Sequence, residues 1–138
     1  MDQDRKLQIS LLLLRIGVFV VMIFWALDKI VRPDHAAQVF AAFYFWEDIG
    51  RTTLAILGVV QVVVVLAFVA GLLRTLTYGL VLAMHAVSTL TSFPGYLAPF
   101  DNLLFFAGWP MLAACITLFL LRNEDTLLSL DAIRNKRE

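Results

Sequence analysis

The sequence predicts an all-α integral membrane protein: a four-helix bundle of transmembrane spans, arranged up-down-up-down, with both termini in the cytoplasm. Composition is the first reason, because 61% of the 138 residues are hydrophobic and 16% are charged, whereas soluble domains are nearer half and a quarter. The mean hydropathy is +0.84. Placement is the second reason, because the apolar residues form blocks of about 20 residues, the length that a helix needs to cross a bilayer.

The four apolar blocks cover residues 7–30, 53–73, 76–96 and 103–121. Each is expected to be helical, because backbone groups in hydrocarbon must satisfy their hydrogen bonds within the segment. The first block resembles a signal peptide, but its length and the missing small-residue cleavage pattern predict a retained span. With a connecting segment near 34–48 and a cytoplasmic tail over 122–138, the spans form one predicted domain.

The basic residues predict the orientation of the spans. An even number of spans places both termini on one side, and seven basic residues fall on that side, against three on the other. Because segments rich in Lys and Arg stay in the cytoplasm, we expect the termini there. The seven are Arg5, Lys6, Arg74, Arg122, Arg134, Lys136 and Arg137, and the three are Lys29, Arg32 and Arg51.

Aromatic side chains are frequent in the segment 34–48. Phe43, Tyr44 and Trp46 belong to it, and aromatic residues are enriched where a membrane meets water. Three interpretations are open: an interfacial helix at headgroup level, a flap over a cavity between the helices, or an apolar patch for a partner protein. The C-terminal tail is amphipathic and is predicted to rest on the cytoplasmic membrane surface.

Four further residues mark the predicted outer boundary of the membrane. Trp25 is expected to anchor the end of span one at the interface. Lys29 is expected to reach the headgroups or to pair with an acid such as Asp48 or Asp101. Asp101 and Asn102 precede span four, where their side chains can cap the helix N-terminus.

Span three carries a stripe of polar residues at helical spacing. Offsets of three, four and seven place residues on one helix face, and this face comprises His85, Ser88, Thr89 and Ser92. One interpretation is helix packing, in which Ser and Thr allow close approach and hydrogen bonds. The other is the polar wall of a cavity in which His85 binds or relays a proton.

Arg15 and Gln61 lie near the middle of spans one and two. Arg15 either snorkels to the cytoplasmic headgroups or has a role in the interior, where it could cluster with Gln61 and His85. No acidic residue lies at that depth within the spans. The counter-ion of Arg15 is therefore expected from an anionic ligand, a lipid or a partner subunit.

Composition also excludes several classes of function. The net charge is zero, so there is no basic domain to bind nucleic acid. Cys115 is the only cysteine, which excludes an intramolecular disulfide, a dithiol redox site and a thiolate metal site within one chain. His35 and His85 are far apart in sequence and no carboxylate pair has ligand spacing, so no metal site and no intrinsic cofactor are predicted.

Three stretches resemble the DoxX-like family of small four-helix bacterial membrane proteins. They are LLLLRIGVFVVMIFWALDKIV in span one, LGVVQVVVVLAFVAGLLRTLTYGLVL over span two and its hairpin, and LLSLDAI in the tail. On this resemblance, Arg15, Lys29, Gly71 and Arg74 match family positions. Gln61 stands where members commonly carry Glu, and this departure bears on any proton or counter-ion role of that site.

The resemblance implies a redox-associated protein of the bacterial inner membrane. The family takes its name from a subunit of a thiosulfate:quinone oxidoreductase. This implies an accessory or membrane-anchoring subunit of a quinone-linked redox or oxidative-stress system, with quinone as the candidate ligand and no stand-alone enzyme activity. The alternatives are a non-catalytic scaffold or assembly factor and an oligomeric small-solute transporter. The expected partners are the bilayer and a larger protein complex or further copies of the chain.

Overall fold

The computed structural model describes residues 2–135, and every regular element among them is a helix. The prediction of an all-α chain is therefore confirmed. Two basic residues counted above, Lys136 and Arg137, lie outside the described residues. In chain order the helices are α1 (Gln3–Val31), α2 (Pro33–Tyr44), α3 (Arg51–Val69), α4 (Arg74–Thr91), α5 (Phe93–Tyr96), a 3-10 helix (Leu103–Ala107), α6 (Gly108–Leu120) and α7 (Leu130–Asn135).

Among residues 2–135, three segments are long and apolar enough to cross a membrane: α1, α3 and the stretch Leu103–Leu120. They correspond to the first, second and fourth predicted spans, although α1 begins earlier than predicted and α3 ends earlier, at Val69. α4 covers most of the third predicted span. It is not among the three, because its sequence includes Arg74, His85 and several hydroxyl-bearing residues.

One face of α1 forms the centre of the core. α1 packs mainly against α3, and α4 packs mainly against α6. Gly58 of α3 permits the first contact, because a Cβ there would lie 3.0 Å from the carbonyl oxygen of Ala26. The buried residues of α1 recur every three or four positions, so they share one side of the helix. They are Leu11, Arg15, Val18, Met22 and Ala26.

α2 follows α1 after one linking residue, Arg32. Proline favours the first turn of a helix, and Pro33 is the first residue of α2. Asp28 joins the two helices, because its carboxylate accepts from Arg32 Nε at 2.7 Å and lies 2.7 Å from His35 Nδ1. The aromatic segment 34–48 is therefore helical over most of its length.

The start of the fourth predicted span differs from the expectation. Asn102 donates to the Ala98 carbonyl at 3.1 Å and provides no side-chain cap, and Asp101 is exposed. The first turn is a 3-10 helix, and the α-helix begins only at Gly108. The predicted cap by Asp101 and Asn102 is wrong, because the preceding turn engages the Asn102 side chain instead.

The C-terminal segment packs against the helices, a contact that its amphipathic pattern did not predict. It folds back over the turn between α3 and α4, where Leu130 N donates to Ala70 O at 3.0 Å and Asp131 N donates to Gly71 O at 3.1 Å. We call residues 123–131 the docked tail. Several backbone groups of this segment find their hydrogen-bond partners in the protein, and its position on the cytoplasmic membrane surface stays a prediction.

Two side chains fasten the docked tail to the long helices. Gln8 of α1 accepts hydrogen bonds from Thr126 N at 2.9 Å and from Thr126 Oγ1 at 3.0 Å. Asp131 accepts from Leu73 N at 3.0 Å and from Arg74 N at 2.9 Å. These are N–H groups at the start of α4 that have no partner within the helix. The beginning of α1, the α3–α4 turn and the docked tail thus share one end of the molecule, which we call the terminal end.

Candidate functional site

Two groups of buried polar residues lie in different parts of the helix assembly. The first surrounds Arg15, whose side chain is completely buried. Arg15 Nη1 donates to the Tyr78 hydroxyl at 3.2 Å and to Asp125 Oδ2 at 3.3 Å. The Tyr78 hydroxyl donates to Asp125 Oδ2 at 2.8 Å. We call these three residues the arginine cluster.

The counter-ion of Arg15 comes from the chain itself, so the predicted external source is wrong. Asp125 is completely buried and belongs to the docked tail. Arg15 Nη2 also donates to the Leu127 carbonyl at 2.6 Å and the Leu128 carbonyl at 3.2 Å. The side chain therefore has an interior position and does not snorkel to the headgroups. A paired and hydrogen-bonded arginine avoids the large cost of an isolated buried charge.

Gly71 makes room for the arginine cluster. Its φ is +62°, a conformation that glycine adopts without the penalty paid by other residues. A Cβ at Gly71 would lie 2.8 Å from Arg15 Nη1 and 2.7 Å from Ser129 Oγ. Ser129 is buried at this point and donates to the Gly71 carbonyl at 3.0 Å. The absence of a side chain at Gly71 therefore allows the tail to dock against the turn after α3.

The second group lines a cavity of about 1090 Å³ between α1, α2, α4 and the start of the fourth apolar segment. Ligand pockets are typically about 300–1,000 Å³ and mostly apolar, with a few polar groups. Arg15 does not line the cavity, so the prediction that it clusters with the other intramembrane polar residues is wrong. Its guanidinium lies at the terminal end, where it donates to the docked tail. The other five predicted residues do line it: Gln61, His85, Ser88, Thr89 and Ser92.

His85 has a fixed orientation in the cavity wall. Its Nε2 lies 2.9 Å from the Gly108 carbonyl oxygen and 3.2 Å from Thr89 Oγ1. The residue is 1% exposed, and its other ring nitrogen, Nδ1, has no hydrogen-bond partner among the described residues. The indole of Trp25 packs nearby, with the ring centroids 5.9 Å apart. The wall therefore combines aromatic surface with one unused polar ring atom.

The hydroxyl groups of the polar stripe bond to their own helix. Thr89 Oγ1 donates to the His85 carbonyl at 2.9 Å, and Ser92 Oγ donates to the Ser88 carbonyl at 2.9 Å. Bonds of this kind satisfy the hydroxyl without a neighbouring helix. Gln61 donates to Met84 Sδ at 3.4 Å, and a thioether is a weak acceptor. The stripe therefore borders the cavity and does not join α4 to another helix through these hydroxyls.

Four residues predicted at the outer boundary also line the cavity, namely Trp25, Lys29, Phe43 and Tyr44. Lys29 Nζ donates to the Trp25 carbonyl at 3.0 Å and lies 5.9 Å from the centre of the Phe40 ring. Among the described residues, Lys29 forms no salt bridge, so the predicted pairing with an acid of the far loops does not occur. The ammonium group is therefore directed to an aromatic part of the cavity wall.

Trp46 and Asp101 lie outside the cavity. Trp46 is about half exposed, and its ring meets that of Phe40 edge-on, with centroids 6.3 Å apart. α2 forms one wall of the cavity, as the flap interpretation of this segment expects, and the interfacial helix and the partner patch stay predictions. The aromatic contact between Phe43 and Phe105, with centroids 5.6 Å apart, closes α2 against the 3-10 helix.

Sequence reasoning missed Tyr78, Asp125 and Gly108. A signal for Asp125 was present, because an arginine inside a span requires a carboxylate within reach, and Asp125 follows shortly after α6. Tyr78 lies at the start of α4, where a tyrosine is ordinary for a membrane interface. Gly108 acts through its backbone carbonyl, which no side-chain pattern can indicate.

No protein-family model, no curated protein and no solved structure matches this chain. Among residues 2–135, no three His, Cys, Asp or Glu side chains are grouped as metal ligands. The chemistry of the cavity and of the arginine cluster therefore provides the basis for assigning a function.

Proposed function

We propose that α1, α3, α4 and α6 cross the inner membrane of a bacterium as a four-span, up-down-up-down bundle with cytoplasmic termini. Of these four helices, α4 is the one whose assignment as a span needs support, because it carries a histidine and several hydroxyl groups. A spanning helix tolerates such groups where they face the protein interior. Four polar side chains of α4 are buried, and four large apolar ones are exposed. The buried ones are Thr77, Tyr78, His85 and Thr89, and the exposed ones are Leu76, Leu80, Val87 and Leu90.

The packing of the terminal end supports membership of the DoxX-like family. The residues that carry the resemblance include Arg15, Gly71, Arg74 and the Ser-Leu-Asp sequence 129–131, which are distant from one another along the chain. They lie together, because Arg74 N donates to Asp131 Oδ2 at 2.9 Å and a Cβ at Gly71 would meet both Ser129 and Arg15. A common role in docking the tail gives a physical reason for these residues to occur together.

The function that we propose is that of an accessory or membrane-anchoring subunit that holds a quinone-type ligand for a quinone-linked redox or oxidative-stress system. The observation that carries this proposal is the cavity of about 1090 Å³, with its aromatic wall and few polar groups. A quinone ring is flat and lipid-soluble, so it can pack against Trp25. Its oxygen atoms can accept a hydrogen bond from the Lys29 ammonium. A partner oxidoreductase would supply the electron transfer.

A scaffold or assembly factor is the second candidate function. It is favoured by two aromatic side chains that protrude from the loops, Phe45 and Phe100, which are 87% and 89% exposed. Exposed aromatic residues of this kind are frequent at the centres of protein–protein interfaces. Such a protein would form a stable complex with its partner whether or not a quinone is bound.

Equilibrium binding of a radiolabelled short-chain benzoquinone to the protein in lipid nanodiscs tests the proposed function. Gly17 lines the cavity, and a Cβ there would have nothing within 4 Å. Gly17→Phe should therefore fill the cavity and weaken binding about tenfold or more, which corresponds to about 1.4 kcal/mol. Val63→Phe is the matched control, because it adds the same ring to an exposed position on α3.

The two variants separate binding in the cavity from partition into lipid. The control variant should bind the benzoquinone as the unmodified protein does. Equal binding by both variants, or no saturable binding above that of empty nanodiscs, would exclude the cavity as a quinone site. A stable stoichiometric partner without quinone binding would then favour the scaffold.

A further inference from the structure

The hydrogen bonds of His85 determine which ring nitrogen carries the hydrogen. Nε2 lies 2.9 Å from the Gly108 carbonyl oxygen, which can only accept. Thr89 Oγ1 lies 3.2 Å from the same nitrogen and donates its own hydrogen to the His85 carbonyl at 2.9 Å. Both neighbours of Nε2 therefore require a donor, so Nε2 is protonated.

Nδ1 of His85 is consequently a hydrogen-bond acceptor. Among the described residues no carboxylate lies within salt-bridge distance of the ring, and an imidazolium buried without a counter-ion is costly. The neutral ring with a hydrogen on Nε2 has a lone pair on Nδ1. This atom is buried and has no partner in the part of the chain that the structure describes. A buried acceptor without a donor is unfavourable, so a ligand that supplies the donor gains affinity.

We propose that the cavity selects the hydroxyl-bearing, reduced form of its aromatic ligand, a lipophilic hydroquinone whose O–H donates to His85 Nδ1. The ring beside His85 would then lie against the Trp25 indole, whose centroid is 5.9 Å from that of the imidazole. The oxidised quinone offers only acceptors, so it cannot bond to Nδ1. This inference rests on the proposed quinone-type ligand and adds a preference for its oxidation state.

Direct comparison of the two oxidation states tests the inference in the unmodified protein. A short-chain benzohydroquinone, kept reduced under anaerobic conditions, should bind about tenfold more tightly than the corresponding benzoquinone, as one additional hydrogen bond to a buried acceptor predicts. Equal affinities would overturn the inference and leave the proposed function standing. Failure of both forms to bind would overturn the proposed function and the inference together.

Two substitutions of His85 identify the atom responsible. The Gln amide reaches the position of Nε2, so His85→Gln keeps a donor towards Gly108 and removes the acceptor at the Nδ1 position. We expect equal affinities for the two forms. The Asn carbonyl reaches the position of Nδ1, so His85→Asn should retain the preference for the hydroquinone. A preference that persists in His85→Gln, or is absent in a folded His85→Asn, would contradict the role of Nδ1.

Discussion

At the scale of single residues, Arg15 and Asp125 connect two parts of the chain that are 110 positions apart. Both side chains are fully buried, and the pair is only partly satisfied, because Arg15 Nε and Asp125 Oδ1 have no partner among the described residues. Removing one member of such a pair leaves an uncompensated charge, whereas replacing both members by apolar residues is often tolerated. The main role of the arginine cluster is therefore to fix the docked tail in one position, and its contribution to net stability is secondary.

We predict that Asp125→Asn lowers the free energy of unfolding by about 3 kcal/mol, because it leaves the Arg15 charge buried without its carboxylate. Unfolding in detergent micelles, followed by circular dichroism, measures the change. Glu124→Gln is the control, because Glu124 is the exposed neighbouring acid, and it should change stability by less than about 0.5 kcal/mol. The double variant Arg15→Met with Asp125→Leu should recover part of the loss. Equal stability of Asp125→Asn and Glu124→Gln would contradict the role of the arginine cluster in fixing the docked tail.

The residues that sequence reasoning identified and those that it missed differ in a physical way. His85 and Thr89 were found because helical spacing places them on one face, and α4 retains that spacing. Asp125 was missed because it lies in a polar segment that resembles a surface tail. Only the three-dimensional return of that segment brings its carboxylate to Arg15. Local periodicity identifies residues in a sequence, whereas the need of Arg15 for a carboxylate does not by itself identify Asp125.

At the scale of elements, the docked tail is the unexpected feature of the fold. The Asp131 side chain joins it to the first turn of α4, where it accepts two backbone hydrogen bonds. Burial alone raises the pKa of Asp131, but the N–H groups of Arg74 and Leu73 and the Arg74 charge together bring its pKa below the ordinary 3.8. A depressed folded-state pKa stabilises the protein above the unfolded-state value, and this stabilisation is lost as the pH falls through the folded-state value.

We predict that Asp131→Asn costs about 1 kcal/mol of unfolding free energy near pH 6, the usual size of such a helix-terminus interaction. The difference from the unmodified protein should shrink as the pH falls below the ordinary pKa of 3.8 and disappear below the lowered folded-state pKa of Asp131, where its carboxylate is protonated. Denaturant titrations at several pH values measure it. Asp101→Asn, at an exposed acid, should show no such difference at any pH. A difference that persists at the lowest pH would show that the charge of Asp131 is not responsible.

The long helices were predictable because their apolar blocks are the dominant signal in the sequence. α1, α3 and the segment Leu103–Leu120 satisfy length and hydropathy by themselves. α4 was predicted from its apolar residues, and four of its polar side chains turn out to be buried. The 3-10 turn before α6 was not predictable, because Asp101 and Asn102 resemble an ordinary N-cap. Where a helix begins or ends depends on which local hydrogen bonds its flanking side chains form.

At the scale of the whole molecule, the two ends have different roles. The terminal end is closed by the docked tail, and the cavity lies towards the other end, where α2 covers it. With four spans, the terminal end would face the cytoplasm and the α2 end would face outward. A ligand from the bilayer would then reach the cavity without disturbing the arginine cluster.

Cysteine labelling of intact cells tests this arrangement, with Cys115→Ser as background. Asp4→Cys and Asn123→Cys lie on exposed residues of the terminal end, and Ala98→Cys lies on an exposed residue of the loop after α5. We predict that a membrane-impermeant maleimide labels the Ala98→Cys protein in intact cells, and labels the other two only after permeabilisation. Labelling of the Asp4 and Asn123 variants from opposite sides would indicate an odd number of spans.

The central claim is that the cavity binds a quinone-type ligand, and the fluorescence of Trp25 tests it most directly. Trp25 lines the cavity, whereas Trp46 and Trp109 do not. In a Trp46→Phe, Trp109→Phe protein, a short-chain benzoquinone should quench Trp25 saturably, and Gly17→Phe should abolish the saturation. Quenching that rises linearly with benzoquinone, as expected for a protein that keeps only Trp109, would contradict a binding site in the cavity.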